Sequence, residues 1–132
     1  MTAKLEHWTW SLELPDGWTS EEAGDAVAVF RPDGVGALQI SAHFRESLVS
    51  DEDLRELAEE HLRKGAAPKP VQLGAFVGFQ IAFAAADTFW SQWLVRRGQQ
   101  ALFVTYNCPV AERGHEYDEA KMLLQTLRAT DA

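Results

Sequence analysis

Hydrophobic and polar side chains alternate between His7 and Leu14, near the N-terminus of the chain. A period of two residues is typical of a strand with one buried face. The sequence Pro15-Asp16-Gly17 follows directly and predicts a turn, because Pro lacks a ladder donor and Gly accepts unusual backbone angles. We therefore expect a strand whose core-facing side chains are Trp8, Trp10, Leu12 and Leu14.

The same alternation recurs in several later segments. Residues 26–30 and 36–44 flank the turn sequence Arg31-Pro32-Asp33-Gly34 and predict a hairpin. Three further strand-like runs follow, at 71–86 (with a break near Gly74), 89–97 and 99–108. Short turns separate them, so we expect sequential antiparallel neighbours. Small residues alternate along 78–86, which predicts that a helix packs closely on that face.

Two segments have a helical period instead. Ser50 precedes three acidic residues, a combination that favours a helix start because Ser accepts from free amides and acids suit the positive end of the helix dipole. The apolar positions that follow are Leu54, Leu57, Ala58, His61 and Leu62. A closing helix is predicted between His115 and Arg128, with a stripe formed by Tyr117, Ala120, Leu123, Leu124 and Leu127.

The order of these elements, β-β-β-α-β-β-β-β-α, predicts an α+β fold: a single antiparallel sheet of about six to seven strands packed with two helices. The chain has 132 residues, of which 46% are hydrophobic. That is enough to bury a core without disulfides or metal. We expect residues 1–132 to form a single domain.

Several of these elements together resemble a known family. They are the strand ending in Leu14-Pro15-Asp16-Gly17-Trp18, the hairpin through Phe30-Arg31-Pro32-Asp33-Gly34, the middle helix, the antiparallel meander and the closing helix. Their order resembles the PsbP-like superfamily, which includes the photosystem II extrinsic subunit, a Ran-binding nuclear import factor and many small bacterial proteins. The resemblance implies a domain that binds other proteins rather than an enzyme, and some bacterial relatives resemble adaptors for secreted effectors. It implies no site residues, since no site motif matches.

Charge and composition indicate which kinds of partner and which cellular compartment to expect for this protein. The net charge is −8 and the basic residues are scattered, whereas nucleic-acid binding needs clustered Lys and Arg. We therefore expect no nucleic-acid partner. The N-terminal residues 1–6 lack an apolar signal region, and the stretch 74–86 is too short to cross a bilayer. We expect a cytoplasmic protein that does not bind membranes.

No reactive constellation is evident. The four histidines lack metal-ligand spacing, and His61 is expected to be a half-buried packing residue. The single cysteine, Cys108, is expected to be a buried, inert thiol, because an activated thiolate needs a base nearby. No nucleophile elbow or phosphate-cradling glycine loop occurs. We predict that the protein is not an enzyme and uses no cofactor or metal.

Tryptophans give the main functional lead. Trp90 and Trp93 are three residues apart on a predicted strand, so their side chains point to opposite faces, while Trp18 follows a turn. Either all of them pack in the core, or one or two are exposed, as aromatics are at protein interfaces. We hypothesise a bacterial protein-binding or adaptor-type domain, associated with secretion or immunity, that binds a partner or a second copy through Trp18, Trp90 and Trp93.

The alternative hypothesis is a small-molecule-binding domain with a pocket between sheet and helix. Its lining would be Gln39, His43, Gln80 and Trp93. The polar positions among these equally fit an ordinary solvated sheet face. A third, catalytic hypothesis requires His43 or His115 to hydrogen-bond to Cys108 or to a carboxylate.

Overall fold

The computed structural model describes residues 3–7 and 9–130, and within them it contains ten strands and three α-helices. The strands are β1 (Ala3–Glu6), β2 (Trp10–Leu14), β3 (Thr19–Ala23), β4 (Ala26–Phe30), β5 (Ala37–Phe44), β6 (Lys69–Leu73), β7 (Phe76–Ala85), β8 (Thr88–Arg97), β9 (Gln100–Pro109) and β10 (Arg128–Ala129). The helices are α1 (Asp51–Leu57), α2 (Glu59–Arg63) and α3 (Arg113–Leu124), and a 3-10 turn at Val110–Glu112 precedes α3.

Seven strands form one antiparallel sheet in the order β3-β4-β5-β9-β8-β7-β6. The predicted α+β class and the antiparallel sheet of six to seven strands are confirmed. The first predicted strand, however, lies outside this sheet: β2 pairs with β1 and with β10 in a small second sheet. The sequence did not predict β1, β3 or β10, because these strands are short and β1 and β3 are mostly exposed.

The two faces of the large sheet are covered differently. The inner face packs against the small sheet and α3, so that Trp10 of β2 and Leu123 of α3 meet Val29 and Leu38 in the main core. As expected, Leu12 and Leu14 are also buried there, whereas Trp8 lies outside the described residues. The outer face packs against α1 and α2 only over β7, β8 and one end of β9. The rest of the outer face is open to solvent.

The predicted middle helix is two short helices rather than one. The backbone leaves the helical region at Ala58, where φ is −104° and ψ is 7°, and α2 starts at the next residue. Leu54 and Ala58 are fully buried against the sheet, but Leu57 is 59% exposed, so its predicted place in the core is wrong. His61 is half-buried and stacks on Phe83 with 4.1 Å between ring centroids, as a packing residue would.

The N-terminus of α1 is closed by the predicted cap. The Asp53 amide donates to Ser50 Oγ (3.1 Å), and the Ser50 amide donates to Asp53 Oδ2 (2.8 Å). We expect Ser50→Ala to lower the free energy of unfolding by about 1 kcal/mol, because the first of these bonds is lost. Urea denaturation followed by circular dichroism measures this. Ser47→Ala, at an exposed position nearby, is the control and should change it by less than about 0.5 kcal/mol.

The closing helix runs from Arg113 to Leu124, two residues earlier than predicted at its start. Ala120, Leu123 and Leu124 are buried, and Leu127 is buried just beyond the helix. The prediction that a helix packs closely on the small residues of 78–86 is wrong in part. The Tyr117 side chain of α3 is hydrogen-bonded to Gln80 on this face, whereas Ala82 and Ala84 are exposed. The small side chains therefore border an open pocket instead of a helix contact.

Candidate functional site

The predicted tryptophan surface is only partly present. Trp18 is 6% exposed and Trp93 is 3% exposed, and both belong to the main core. Their prediction as partner-binding residues is therefore corrected: they are packing residues of the inner face. Trp90 differs, because it lies on the outer face and is half-buried. Among the three predicted tryptophans, only Trp90 is placed to touch a partner.

The ladder register brings Trp90 together with other predicted residues. One row across the outer face runs Glu21–Ala28–Gln39–Thr105–Gln92, and the next runs Thr19–Phe30–Ala37–Asn107–Trp90. His43 lies farther along β5 on the same face. We call this region the open sheet face and define it as Ala26, Ala28 and Phe30 of β4, Ala37, Gln39, Ser41 and His43 of β5, Phe103, Thr105 and Asn107 of β9, and Trp90 and Gln92 of β8.

The residues of the open sheet face include no Lys, Arg, Asp or Glu, although these residues make up 24% of the chain; the exposed Glu21 of the edge strand β3 borders the face beside Ala28. Its aromatic side chains, Phe30, Phe103 and Trp90, are all half-buried. Its polar side chains belong to Gln, Ser, Thr, Asn and His; Ser41 Oγ and His43 Nε2 lie 3.1 Å apart in a hydrogen bond. The surface therefore combines apolar area with hydrogen-bond donors and acceptors.

The four residues predicted to line one small-molecule pocket do not share a cavity. Gln80 lies on the inner face and borders a pocket of about 370 Å³ between β6–β8 and α3. We call this the sheet–helix pocket. His43 borders a different groove of about 460 Å³, beside Trp10 and the exposed Phe44. Gln39 lines neither cavity, and Trp93 is buried beneath the inner face.

A buried polar cluster joins α3 to the sheet. Glu116 is 5% exposed, and its Oε1 accepts from the Gly36 amide (2.8 Å) and from the Tyr106 hydroxyl (3.1 Å). Burial raises the pKa of Tyr106 and of Cys108 above their usual values, so both side chains stay protonated at neutral pH. The prediction that Cys108 is a buried thiol is confirmed.

Sequence reasoning missed Glu116, although a signal was present. Glu116 lies four residues before Ala120 and seven before Leu123, on the apolar stripe of α3. A carboxylate on such a stripe needs buried donors, which the amide of Gly36 supplies. Only glycine fits at position 36, because a Cβ there would collide with the carbonyl oxygen of Asn107.

The histidines are dispersed over the described part of the chain. His115 contacts the Glu112 carboxylate, which meets one condition of the catalytic hypothesis, but the pair lies on the exposed side of α3. In residues 3–7 and 9–130, no three His, Cys, Asp or Glu side chains converge as metal ligands would. None of the helices described here has both the length and the apolar character needed to cross a bilayer.

Comparison with known proteins gives matches of structure only. No protein-family model and no curated protein matches the sequence. A protein from Bacteroides thetaiotaomicron superposes with a TM-score of 0.66 at 21% identity over 94% of this chain, which spans 46% of that protein. LpqN, involved in cell envelope biogenesis of Mycobacterium tuberculosis, gives a TM-score of 0.68 at 15% identity, covering 98% of this chain and 91% of LpqN.

A cyanobacterial PsbP, CyanoP from Synechocystis, is also similar. It gives a TM-score of 0.58 at 6% identity, covering 92% of this chain and 86% of CyanoP. At such low identities the likeness concerns the arrangement of strands and helices and transfers no site residues. The element order, the large antiparallel sheet and these matches agree with the resemblance found in the sequence, and the chain has the PsbP-like fold.

Proposed function

We propose that this chain is a non-enzymatic protein-binding domain of adaptor type, which contacts its partner through the open sheet face. The observation that carries the proposal is a sheet surface, uncovered by any helix, whose four strands β4, β5, β9 and β8 present three half-buried aromatic side chains there and whose nearest acidic neighbour, Glu21, lies at the edge on β3. The centres of protein interfaces are depleted in charge and enriched in aromatic residues.

The family resemblance extends this proposal to the kind of partner. We infer a bacterial, cytoplasmic adaptor or immunity domain whose partner is a secreted effector, in line with adaptor-like members of the superfamily. Nucleic acid is a poor fit, because the open sheet face offers no cation to a phosphate backbone. Self-association through the same face is the variant in which the partner is a second copy.

Photo-crosslinking tests the proposed surface directly. We expect benzoylphenylalanine at Gln39 or at Thr105, which lie opposite each other in the ladder, to crosslink to one discrete protein in cells of the native host. The mass of the product tells a different protein from a second copy. The same probe at Met122 or Leu57, which are exposed elsewhere, is the control and should give no such product. Crosslinks only at the control positions, or at none, would contradict the proposal.

A charge placed in this surface should disrupt binding. We expect Ala37→Arg, between Phe30 and Asn107 in the ladder, to reduce the crosslinked product at Gln39 at least about tenfold, because burying an unpaired charge is costly. Ala111→Arg, at an exposed position before α3, is the matched control and should leave the product unchanged. Equal losses in both variants would point to charge in general instead of the open sheet face.

A second candidate function, small-molecule binding, is favoured by a separate observation. The sheet–helix pocket lies between sheet and helix, as that hypothesis requires, and contains one of its predicted residues, Gln80. Its volume of about 370 Å³ lies within the range of ligand-binding pockets.

A further inference from the structure

The sheet–helix pocket is lined by three cations. Lys69 reaches it from β6, and Arg113 and Lys121 reach it from α3. None of the described Asp or Glu side chains lines this pocket, in a chain with 20 acidic and 12 basic residues. A local cluster of positive charge in an acidic protein attracts small anions and excludes cations.

Two of these cations have no acidic partner in the part of the chain that the structure describes. Lys69 and Arg113 form no ion pair there, whereas Lys121 Nζ lies 3.2 Å from Asp118 Oδ1. The Asp118 carboxylate is almost fully exposed, so solvent screens this pair and an anion can compete for Lys121. The positive charge of the pocket is therefore largely available to a ligand.

Aromatic rings hold two of the cations in place. The Arg113 guanidinium lies 5.2 Å from the centroid of the Phe89 ring, and Lys121 Nζ lies 4.5 Å from the centroid of the Tyr117 ring. Arg113, Tyr117 and Lys121 are four residues apart along α3 and so share one side of that helix. Cation–π contacts of this kind restrict the side chains without neutralising them.

Three polar side chains at the centre of the pocket, those of Gln80, Ser91 and Tyr117, leave one hydrogen-bond donor unused among themselves. Gln80 Nε2 donates to Ser91 Oγ (2.9 Å) and to the Tyr117 hydroxyl (2.8 Å), and the two hydroxyl oxygens are 3.0 Å apart. Three hydrogen bonds use three of the four hydrogens on these groups. Ser91 is fully buried, so its hydrogen must go to Tyr117, the acceptor it contacts.

The hydrogen of the Tyr117 hydroxyl is therefore not used within this cluster, and it can be donated into the pocket that the half-buried Tyr117 side chain lines. The same count of hydrogens indicates which way the side-chain amide of Gln80 is oriented. A reversed Gln80 amide would accept both hydroxyl hydrogens and leave the contact between Ser91 and Tyr117 without one. The pocket thus offers a hydroxyl donor in addition to three cations.

We propose that the sheet–helix pocket binds the phosphate monoester group of a small soluble molecule. A phosphate dianion has three strong acceptor oxygens and close to two negative charges, which suits three cations and a hydroxyl donor better than a single carboxylate would. The exposed Ala67 and Ala82 leave apolar room beside the phosphate for a small organic group. This inference deepens the second candidate function and is independent of the open sheet face.

Titration with inorganic phosphate and with phenyl phosphate tests the inference. At constant ionic strength, we expect saturable amide shifts in NMR spectra at Lys69, Gln80, Arg113 and Tyr117. Phenyl phosphate should bind more tightly than inorganic phosphate because its ring can contact Ala67 and Ala82. Each of Lys69→Gln and Arg113→Gln should weaken binding about tenfold, as expected for one charge-assisted hydrogen bond. Tyr117→Phe should weaken it a few-fold, because only the spare donor is lost.

Arg63→Gln is the matched control, since it removes one positive charge at an exposed position on α2. It should change the affinity less than about twofold, because a surface charge outside the pocket is screened by salt. Equal weakening in Arg63→Gln and Arg113→Gln, or shifts that do not saturate in the millimolar range, would overturn the proposal. Crosslinking of a protein at Gln39 should be unaffected by Arg113→Gln, so failure of this site and failure of the open sheet face are distinguishable.

Phosphatidic acid carries the same phosphate chemistry on a lipid. Sedimentation with phosphatidylcholine vesicles, with and without phosphatidic acid, separates the two sources. We expect the protein to stay in the supernatant with both. Sedimentation that depends on phosphatidic acid and is lost in Arg113→Gln, without binding of phenyl phosphate, would contradict a soluble ligand.

Discussion

Trp93→Ala is expected to lower the free energy of unfolding by about 3–5 kcal/mol, the largest effect we predict. The Trp93 side chain lies within the inner-face core beside Val104, its partner in the β8–β9 ladder. Truncation to alanine removes the buried indole and leaves a cavity that the surrounding strands can fill only in part. Guanidinium denaturation followed by circular dichroism measures the loss.

Trp90→Ala is the matched control for this prediction. The same indole is removed three residues away, but from the half-buried outer face, so we expect a loss of only about 1 kcal/mol. Comparing the two variants distinguishes a residue needed for stability from one needed for binding. The Trp90 variant should stay folded but lose the crosslink from Gln39 to the partner. Equal destabilisation by both variants would show that the outer face is more buried than the structure indicates.

Glu116→Leu is expected to lower the free energy of unfolding by about 2–4 kcal/mol. The substitution leaves two donors, the Gly36 amide and the Tyr106 hydroxyl, without their acceptor in the interior. Glu116→Gln retains an acceptor oxygen at the same place and should cost only about 1 kcal/mol, because a neutral acceptor is weaker than a carboxylate. Thermal and urea unfolding measure both variants.

Glu119→Leu provides the control on the same helix. Glu119 Oε1 lies 3.3 Å from Arg31 Nη1 in a partly exposed ion pair, and such pairs contribute less than about 1 kcal/mol. A loss in Glu119→Leu as large as that in Glu116→Leu would show that negative charge on α3, and not the buried hydrogen bonds, stabilises the contact between α3 and the sheet.

Together, these predictions separate stability from binding. Trp93 and Glu116 hold the two layers of the fold together from the inside, whereas Gln39, Thr105 and Arg113 lie where a ligand or a partner can reach them. A loss of function in the first pair should follow unfolding. A loss in the second group should occur in a protein that is still folded.

The sequence by itself determined those features of the structure that depend on residues close to one another along the chain. Turn residues such as Asp33-Gly34 specify the β4–β5 hairpin, and Ser50 specifies the start of α1, because the groups involved lie within a few positions of one another. Alternation also predicted that Trp90 and Trp93 point to opposite faces. These features together were sufficient to recognise the PsbP-like arrangement of strands and helices.

Only the tertiary structure decided which surfaces are covered. Alternation gives each strand two faces but cannot tell which face the small sheet and α3 cover, nor how far α1 and α2 extend over the other. The burial of Trp93 on the first face and the exposure of Gln39 on the second could therefore not be predicted beforehand. Long-range pairing likewise joins Ser11 of β2 to Arg128 of β10. The sheet–helix pocket arises in the same way, because Lys69 and Arg113 are distant in sequence and meet only when α3 packs on the sheet.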